Sequence, residues 1–175
     1  MKKNNKGFTL IELLAVLALL SIIMLIAIPN VLSLIDKNKR STYIEDSKQF
    51  IALAEYKFRS DTSISRPNTN YAVAMSLKCL NQSELTNGPE GMEYDVNRSF
   101  VMIGNYNGTY KYYVTLRESN GTKAQGLNLI ERSALNKSDS YREVTTELTV
   151  YDYTVGRYVK GSDGINYRIQ AVCTQ

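Results

Sequence analysis

Residues 8 to 28 read FTLIELLAVLALLSIIMLIAI, a run of 21 residues broken only by Thr9, Glu12 and Ser21. As a helix rising 1.5 Å per residue, this run is long enough to cross the hydrocarbon of a bilayer. Few soluble folds can bury such a segment on every side, so it limits the rest of the chain to what can follow a membrane or helix-bundle element. Glu12 is the anomaly. A carboxylate at the centre of a spanning helix costs roughly 2.5–3.5 kcal/mol on insertion scales. A secretory signal has a 7–15-residue apolar core closed by a small-residue cleavage site; this run is longer, and no such site closes it. A plain anchor explains the length but not Glu12. That residue lies four positions after Phe8, about 6 Å along a helix, so its carboxylate can also snorkel to the headgroups.

Charge and composition narrow the function classes. The net charge is +4, and Lys2, Lys3 and Lys6 supply three of those charges, so the remainder is nearly neutral with 18 basic and 17 acidic residues. A broad nucleic-acid surface needs clustered Lys and Arg, which disfavours that partner. The chain has no His, which removes the commonest general base and metal ligand. No nucleophile–base pattern, phosphate loop or metal-ligand cluster is found. The expectation is a non-enzyme with no catalytic residues, no cofactor and no metal.

The heptapeptide KGFTLIE, residues 6 to 12, sits at the extreme N-terminus behind the basic leader MKKNNKG. This arrangement resembles the processing motif of type IV prepilins and pseudopilins. The resemblance implies a leader, residues 1–7, removed by a membrane peptidase that cuts after Gly7. It implies N-methylation of the new terminal residue, Phe8. It gives Glu12 a partner, the new amine of a neighbouring subunit, a pairing that is strong in a low-dielectric core and costly for either group alone. Pro29, which removes a backbone donor, becomes a kink or melting point of the helix on assembly; the plain alternative is a bend at the membrane exit. The implied partners are other pilin subunits, the prepilin peptidase/methyltransferase, an assembly platform, and membrane lipid before assembly.

The same resemblance places the N-terminus in the cytoplasm and the body outside, first as a single-pass membrane protein and then in a surface filament. Lys2, Lys3 and Lys6 agree, although Lys37, Lys39 and Arg40 lie soon after the span, offset by Asp36. The implied role is a major or minor subunit of a type IV pilus. The alternatives are a competence or secretion pseudopilin, or a minor pilin acting as adhesin or DNA-binding module. A body of 117 residues after Phe58 tilts toward the pilus subunit. An extracytoplasmic body also permits a disulfide between Cys79 and Cys173, worth up to roughly 4–5 kcal/mol in the loop-entropy model. Two buried thiols are the other reading.

The expected fold is α+β: a long N-terminal helix packed on an antiparallel sheet of about four strands. Segment 8–29 forms the apolar half of the helix and 30–59 its amphipathic half, where Ile44, Ser47, Ile51, Ala54 and Phe58 share one face. Segment 60–175 forms the β-rich domain. There, YKYYVTL alternates, setting Tyr110, Tyr112, Val114 and Leu116 opposite Lys111, Tyr113 and Thr115. Asn107-Gly108 and Asn120-Gly121 signal hairpin turns. LNLIERSALN is ambiguous between strand and helix. ELTVYDYTVGRYV and INYRIQAVCTQ read as the last two strands.

Overall fold

The computed structural model describes residues 7–69, 71–80, 85–119, 124–135, 158–160 and 166–171. The chain forms two units, Met1–Asn38 and Lys39–Gln175. Helix α1 runs without interruption over Leu10–Ser60, 51 residues. The sequence places this helix over 8–59, and its later start arises because Thr9 caps it from outside. No glycine lies between Phe8 and Ser60, and Leu, Ala and Ile dominate the first half, so propensity favours helix throughout.

In the first unit the large apolar side chains from Phe8 to Ile35 are exposed, Leu10 at 80 % and Leu25 at 76 %. The exposed apolar surface therefore extends past Pro29 through Val31, Leu32, Leu34 and Ile35. Pro29 lies inside the helix and, having no N–H, leaves the Leu25 carbonyl without its usual donor. Polar side chains stay bonded to the helix backbone nearby. Ser21 Oγ donates to the Leu17 carbonyl (2.8 Å), Asn30 Nδ2 to the Ile26 carbonyl (3.0 Å) and Ser33 Oγ to the Asn30 carbonyl (2.9 Å).

In the second unit α1 buries Tyr43, Ile44, Ser47, Phe50, Ile51, Ala54 and Phe58. This is the anticipated stripe, widened by Tyr43 and Phe50. The helix stops where Arg66 Nη1 donates to the Phe58 carbonyl (2.5 Å), satisfying one of the last-turn acceptors. Asp61 accepts the backbone N–H (3.0 Å) and hydroxyl (2.6 Å) of Ser63, turning the chain away.

The strands are β1 (Tyr71–Ser76), β2 (Phe100–Tyr106), β3 (Thr109–Ser119), β4 (Ala124–Glu131), β5 (Tyr158–Lys160) and β6 (Asn166–Ala171). A 3₁₀ turn, Lys78–Leu80, follows β1, and α2, Arg132–Leu135, follows β4. Strands β1 to β4 pair antiparallel in chain order, the number and sense expected, although the sequence pattern does not mark β1 as a strand and leaves the end of β4 ambiguous. The sheet is larger than that, six strands in the order β4-β3-β2-β1-β6-β5. It contains one parallel pairing, β1 with β6, in the register Ala72↔Ile169 and Ala74↔Ala171. Parallel neighbours need a long crossover, and the 89 residues between β1 and β6 supply one; the alternating pattern alone carries no sign of direction. LNLIERSALN divides, its first part ending β4 and ERSAL turning into α2. Residues 147–157 of the penultimate expected strand, and the Asn120-Gly121 turn, lie outside the described residues.

Both faces of the sheet are buried across β1 to β4. Val73, Met75, Val101, Ile103, Tyr112, Val114 and Leu116 join the helix stripe in one core. Residues of alternate phase, Ala72, Ala74, Phe100, Met102, Tyr113 and Leu129, form a second cluster, none more than 3 % exposed. YAVAMS and FVMI are accordingly continuous apolar runs rather than alternating ones. Tyr113 and Thr115, expected opposite the core face, are buried on this other side.

Glu118 of β3 is fully buried. Its carboxylate accepts the Tyr43 hydroxyl of α1 and the backbone N–H groups of Glu90 (3.1 Å) and Met92 (2.6 Å). A Cβ on Gly88 would strike that carboxylate, so the loop can wrap it only with glycine there. Tyr94 donates to Asp46 Oδ2 (2.5 Å), and Lys39 (2.8 Å) and Gln125 (2.9 Å) hold the Glu90 carboxylate. Together these bonds fasten the loop from Thr86 to Tyr94 to the helix and to β3.

Burial pushes the Asp46 carboxyl above its ordinary value; the Tyr94 hydrogen bond opposes this, and the negative charges of Glu118 and Glu45 add to it. A folded-state pKa above the unfolded one means the native state holds the proton longer. Stability contributed by protonated Asp46 is therefore lost as pH rises from the ordinary carboxyl value of 3.8 through the raised one. Asp46→Asn should flatten this part of the stability curve, measured by urea unfolding at a series of acidic pH values. An unchanged slope would show that another group carries it.

Candidate functional site

The site is the start of α1. Gly7 and Phe8 precede the helix in exposed, non-helical backbone, with Phe8 90 % exposed. Thr9 is the N-cap. Its hydroxyl accepts the Glu12 N–H (3.3 Å), while Glu12 Oε2 accepts both the Thr9 N–H (2.8 Å) and the Thr9 hydroxyl (2.8 Å). This is a capping box, in which two orphan amides of the first turn are satisfied reciprocally. The Glu12 charge also lies at the positive end of the helix dipole. The carboxylate thus has a local role within this chain alone.

Sequence reasoning singled out Glu12 and missed Thr9. The T-x-x-E spacing ahead of an apolar run was the available signal. Gly7 and Phe8 lie just ahead of α1, Glu12 lies in its first turn, and Pro29 lies about five turns further along the same helix. The basic leader residues Lys2, Lys3 and Lys6 lie outside the described residues. Cys79 belongs to the other unit, on the 3₁₀ turn after β1, where it is half-buried against the core. Cys173 lies outside the described residues.

The second unit carries an open groove of about 920 Å³ between the end of α1, the β2–β3 turn and α2. Glu55 bridges two guanidinium groups, Arg59 Nη2 at 2.6 Å and Arg132 Nη1 at 2.7 Å. Lys111 lies 3.6 Å from Glu131. Phe58 and Tyr110 meet edge to face at 5.2 Å, with Arg66 stacked 4.4 Å over Phe58. Four cations against two carboxylates leave the groove with net positive charge. Among the described residues no group of three or more His, Cys, Asp or Glu side chains is placed to hold a metal ion.

The prokaryotic N-terminal methylation motif, as a family model, matches residues 2–28. The start of this chain therefore carries the type IV pilin/pseudopilin signal. That motif implies processing by a prepilin peptidase and assembly with other pilins in general. With a helix long and apolar enough to cross a membrane, it fits a membrane-anchored precursor and a structural rather than catalytic protein. No curated protein and no solved structure matches the chain.

Replacing Thr9 by Ala should release the Glu12 N–H and cost about 1 kcal/mol of first-turn stability. Amide exchange of the full-length protein in detergent micelles should then quicken roughly fivefold at Glu12 and not at residues beyond the first two turns. Equal exchange in both proteins would show that the cap holds nothing.

Proposed function

We propose that this chain is a subunit of a type IV pilus, drawn from the membrane into a helical filament through the first half of α1. The observation that carries this reading is the junction of the Gly7–Phe8 motif with a capped helix whose apolar surface is exposed on all sides. Cleavage after Gly7 removes residues 1–7, and Phe8 becomes the N-methylated terminus. Glu12 pairs with that terminus on a neighbouring subunit. Segment 8–29 forms the filament core and Pro29 supplies the plastic point. Before assembly the chain is a single-pass membrane protein with a cytoplasmic N-terminus; afterwards it stands on the cell surface. The assembly platform and the peptidase/methyltransferase are its partners, and it catalyses nothing. A competence or secretion pseudopilin uses the same helix, and the size of the body favours the pilus.

A disulfide between Cys79 and Cys173 belongs to this reading. Its support is that Cys79 is not a free thiol. In addition, β1 and β6 run parallel in the register Ala74↔Ala171, so both chains head the same way toward their cysteines. A second reading, a minor pilin that also binds a ligand, is favoured by the cationic groove at Arg59 and Arg132.

Mass spectrometry of the protein from its own cells tests the first reading. The expected chain begins at methylated Phe8; one beginning at Met1, or beyond Ile28, would overturn it. Glu12→Ala should leave the processed subunit in the membrane and abolish or sharply reduce its recovery in sheared filaments. For the second reading, Arg59→Ala with Arg132→Ala should leave filament yield intact and remove binding to an anionic surface, measured as salt-sensitive retention. Retention unchanged by the double substitution would exclude the groove.

A further inference from the structure

Three Asn-Gly pairs occur in the chain, at 87–88, 107–108 and 120–121. Such a pair is chemically labile, because glycine leaves its own nitrogen unhindered beside the asparagine amide. Of the two described pairs, the one more open to water is Asn107–Gly108, at the exposed tip of the β2–β3 hairpin. Positive φ at both residues, 50° and 84°, makes it a type I′ turn. A Cβ on Gly108 would meet no atom within 4 Å, so no neighbouring group shields the site sterically.

The attacking atom is nonetheless engaged. The Gly108 N–H donates to Asn105 Oδ1 at 2.9 Å. Asn105 is itself held, its Nδ2 donating to the Pro67 carbonyl at 3.2 Å. The 87–88 pair shows the same arrangement by another route, with the Gly88 N–H donating to the Met92 carbonyl at 2.9 Å. In both described pairs the nitrogen that must lose its proton has that proton in a hydrogen bond. The pair at 120–121 lies outside the described residues.

We propose that Asn107–Gly108 is a latent deamidation site, and that the Asn105 side chain holds it closed. The reaction needs only water. The Gly108 nitrogen gives up its proton and attacks Asn107 Cγ, forming an N–Cγ bond. The Cγ–Nδ2 bond breaks and ammonia leaves. Water then opens the five-membered imide on either side, giving aspartate or isoaspartate. No oxidant or reductant enters. The product places a new carboxylate on the exposed tip, and the isoaspartate form adds a backbone atom to a two-residue turn that has no slack for it. Asn105 is a positioning residue here: it acts through the Gly108 N–H and touches no reacting bond.

The test uses the full-length protein in detergent, aged in neutral buffer, with peptide mass spectrometry following amide-to-acid conversion at Asn107 and, as an internal reference, at Asn87. Asn105→Ala should speed conversion at Asn107 by roughly three- to tenfold, the factor set by one hydrogen bond's net worth, and leave Asn87 unchanged. Asn105→Asp, which keeps the acceptor and loses the donor to Pro67, should stay near the wild-type rate. An unchanged rate at Asn107 in Asn105→Ala, or an equal rise at both asparagines, would overturn the proposal, the latter by showing general loosening. Should Asn105→Ala not fold, amide exchange at Gly108 in the wild type decides: protection supports the guard, and exchange at the rate of open backbone overturns it.

Discussion

Apolar surface that its own unit does not bury is the constraint on which the rest of this chain depends. Leaving a Leu or Ile side chain in water rather than burying it costs roughly 1.5–3 kcal/mol. The first unit exposes such side chains from Leu10 to Ile35. Lipid or other apolar helices must take that surface, and each option explains a feature of the sequence. The run of 21 residues matches a bilayer in length. The four further apolar residues after Pro29 exceed it, and they suit a helix that leaves lipid for a protein environment. In such surroundings an unpaired polar side chain is costly, and Ser21, Asn30 and Ser33 each find a helix carbonyl to bond.

In the second unit the corresponding problem is a buried charge. Among the described residues Glu118 has no cation as a hydrogen-bond partner; two amides and a tyrosine hydroxyl bond it instead. Breaking such a set by removing one partner is expensive because the carboxylate stays buried. The arrangement draws on three separate parts of the chain, Tyr43, the loop at Glu90 and Met92, and β3. A polar set of this kind fixes how the loop sits, whereas apolar contacts alone would tolerate sliding. Tyr94 on Asp46 repeats the same logic next to it, again with a tyrosine as donor. The abundance of tyrosine thus has a concrete use: an apolar ring that fills the core and a hydroxyl that reaches a carboxylate.

What the sequence revealed followed the range of each signal. The helix stripe at Ile44, Ser47, Ile51, Ala54 and Phe58 was legible because periodicity is local. So was the Asn107-Gly108 hairpin. The parallel pairing of β1 with β6 was not, because strand direction depends on a crossover far away in sequence. The second buried face was missed because Lys111, Tyr113 and Thr115 look like a solvent face; Tyr113 and Thr115 are apolar enough in body to be covered. Glu118 was unreadable as a buried carboxylate, since its partners are mostly backbone amides, which carry no residue identity. Of the site, Gly7, Phe8 and Glu12 were legible as an ordered motif, and Thr9 was legible in principle through its spacing to Glu12.

The capping box bears directly on how Glu12 can serve two ends. Both Thr9 bonds converge on one carboxylate oxygen, Oε2. The proposed partner, an amine from a neighbouring terminus, can approach Oε1 without breaking either bond. The two bonds from Thr9 also hold the Glu12 carboxylate in one place at the head of the helix. Phe8 and Thr9 are adjacent, and cleavage after Gly7 leaves the Thr9 amide and hydroxyl untouched. The cap would therefore survive the proposed processing, which would add only the amine. On that reading Glu12 caps its own helix through Oε2 and leaves Oε1 for the proposed neighbour.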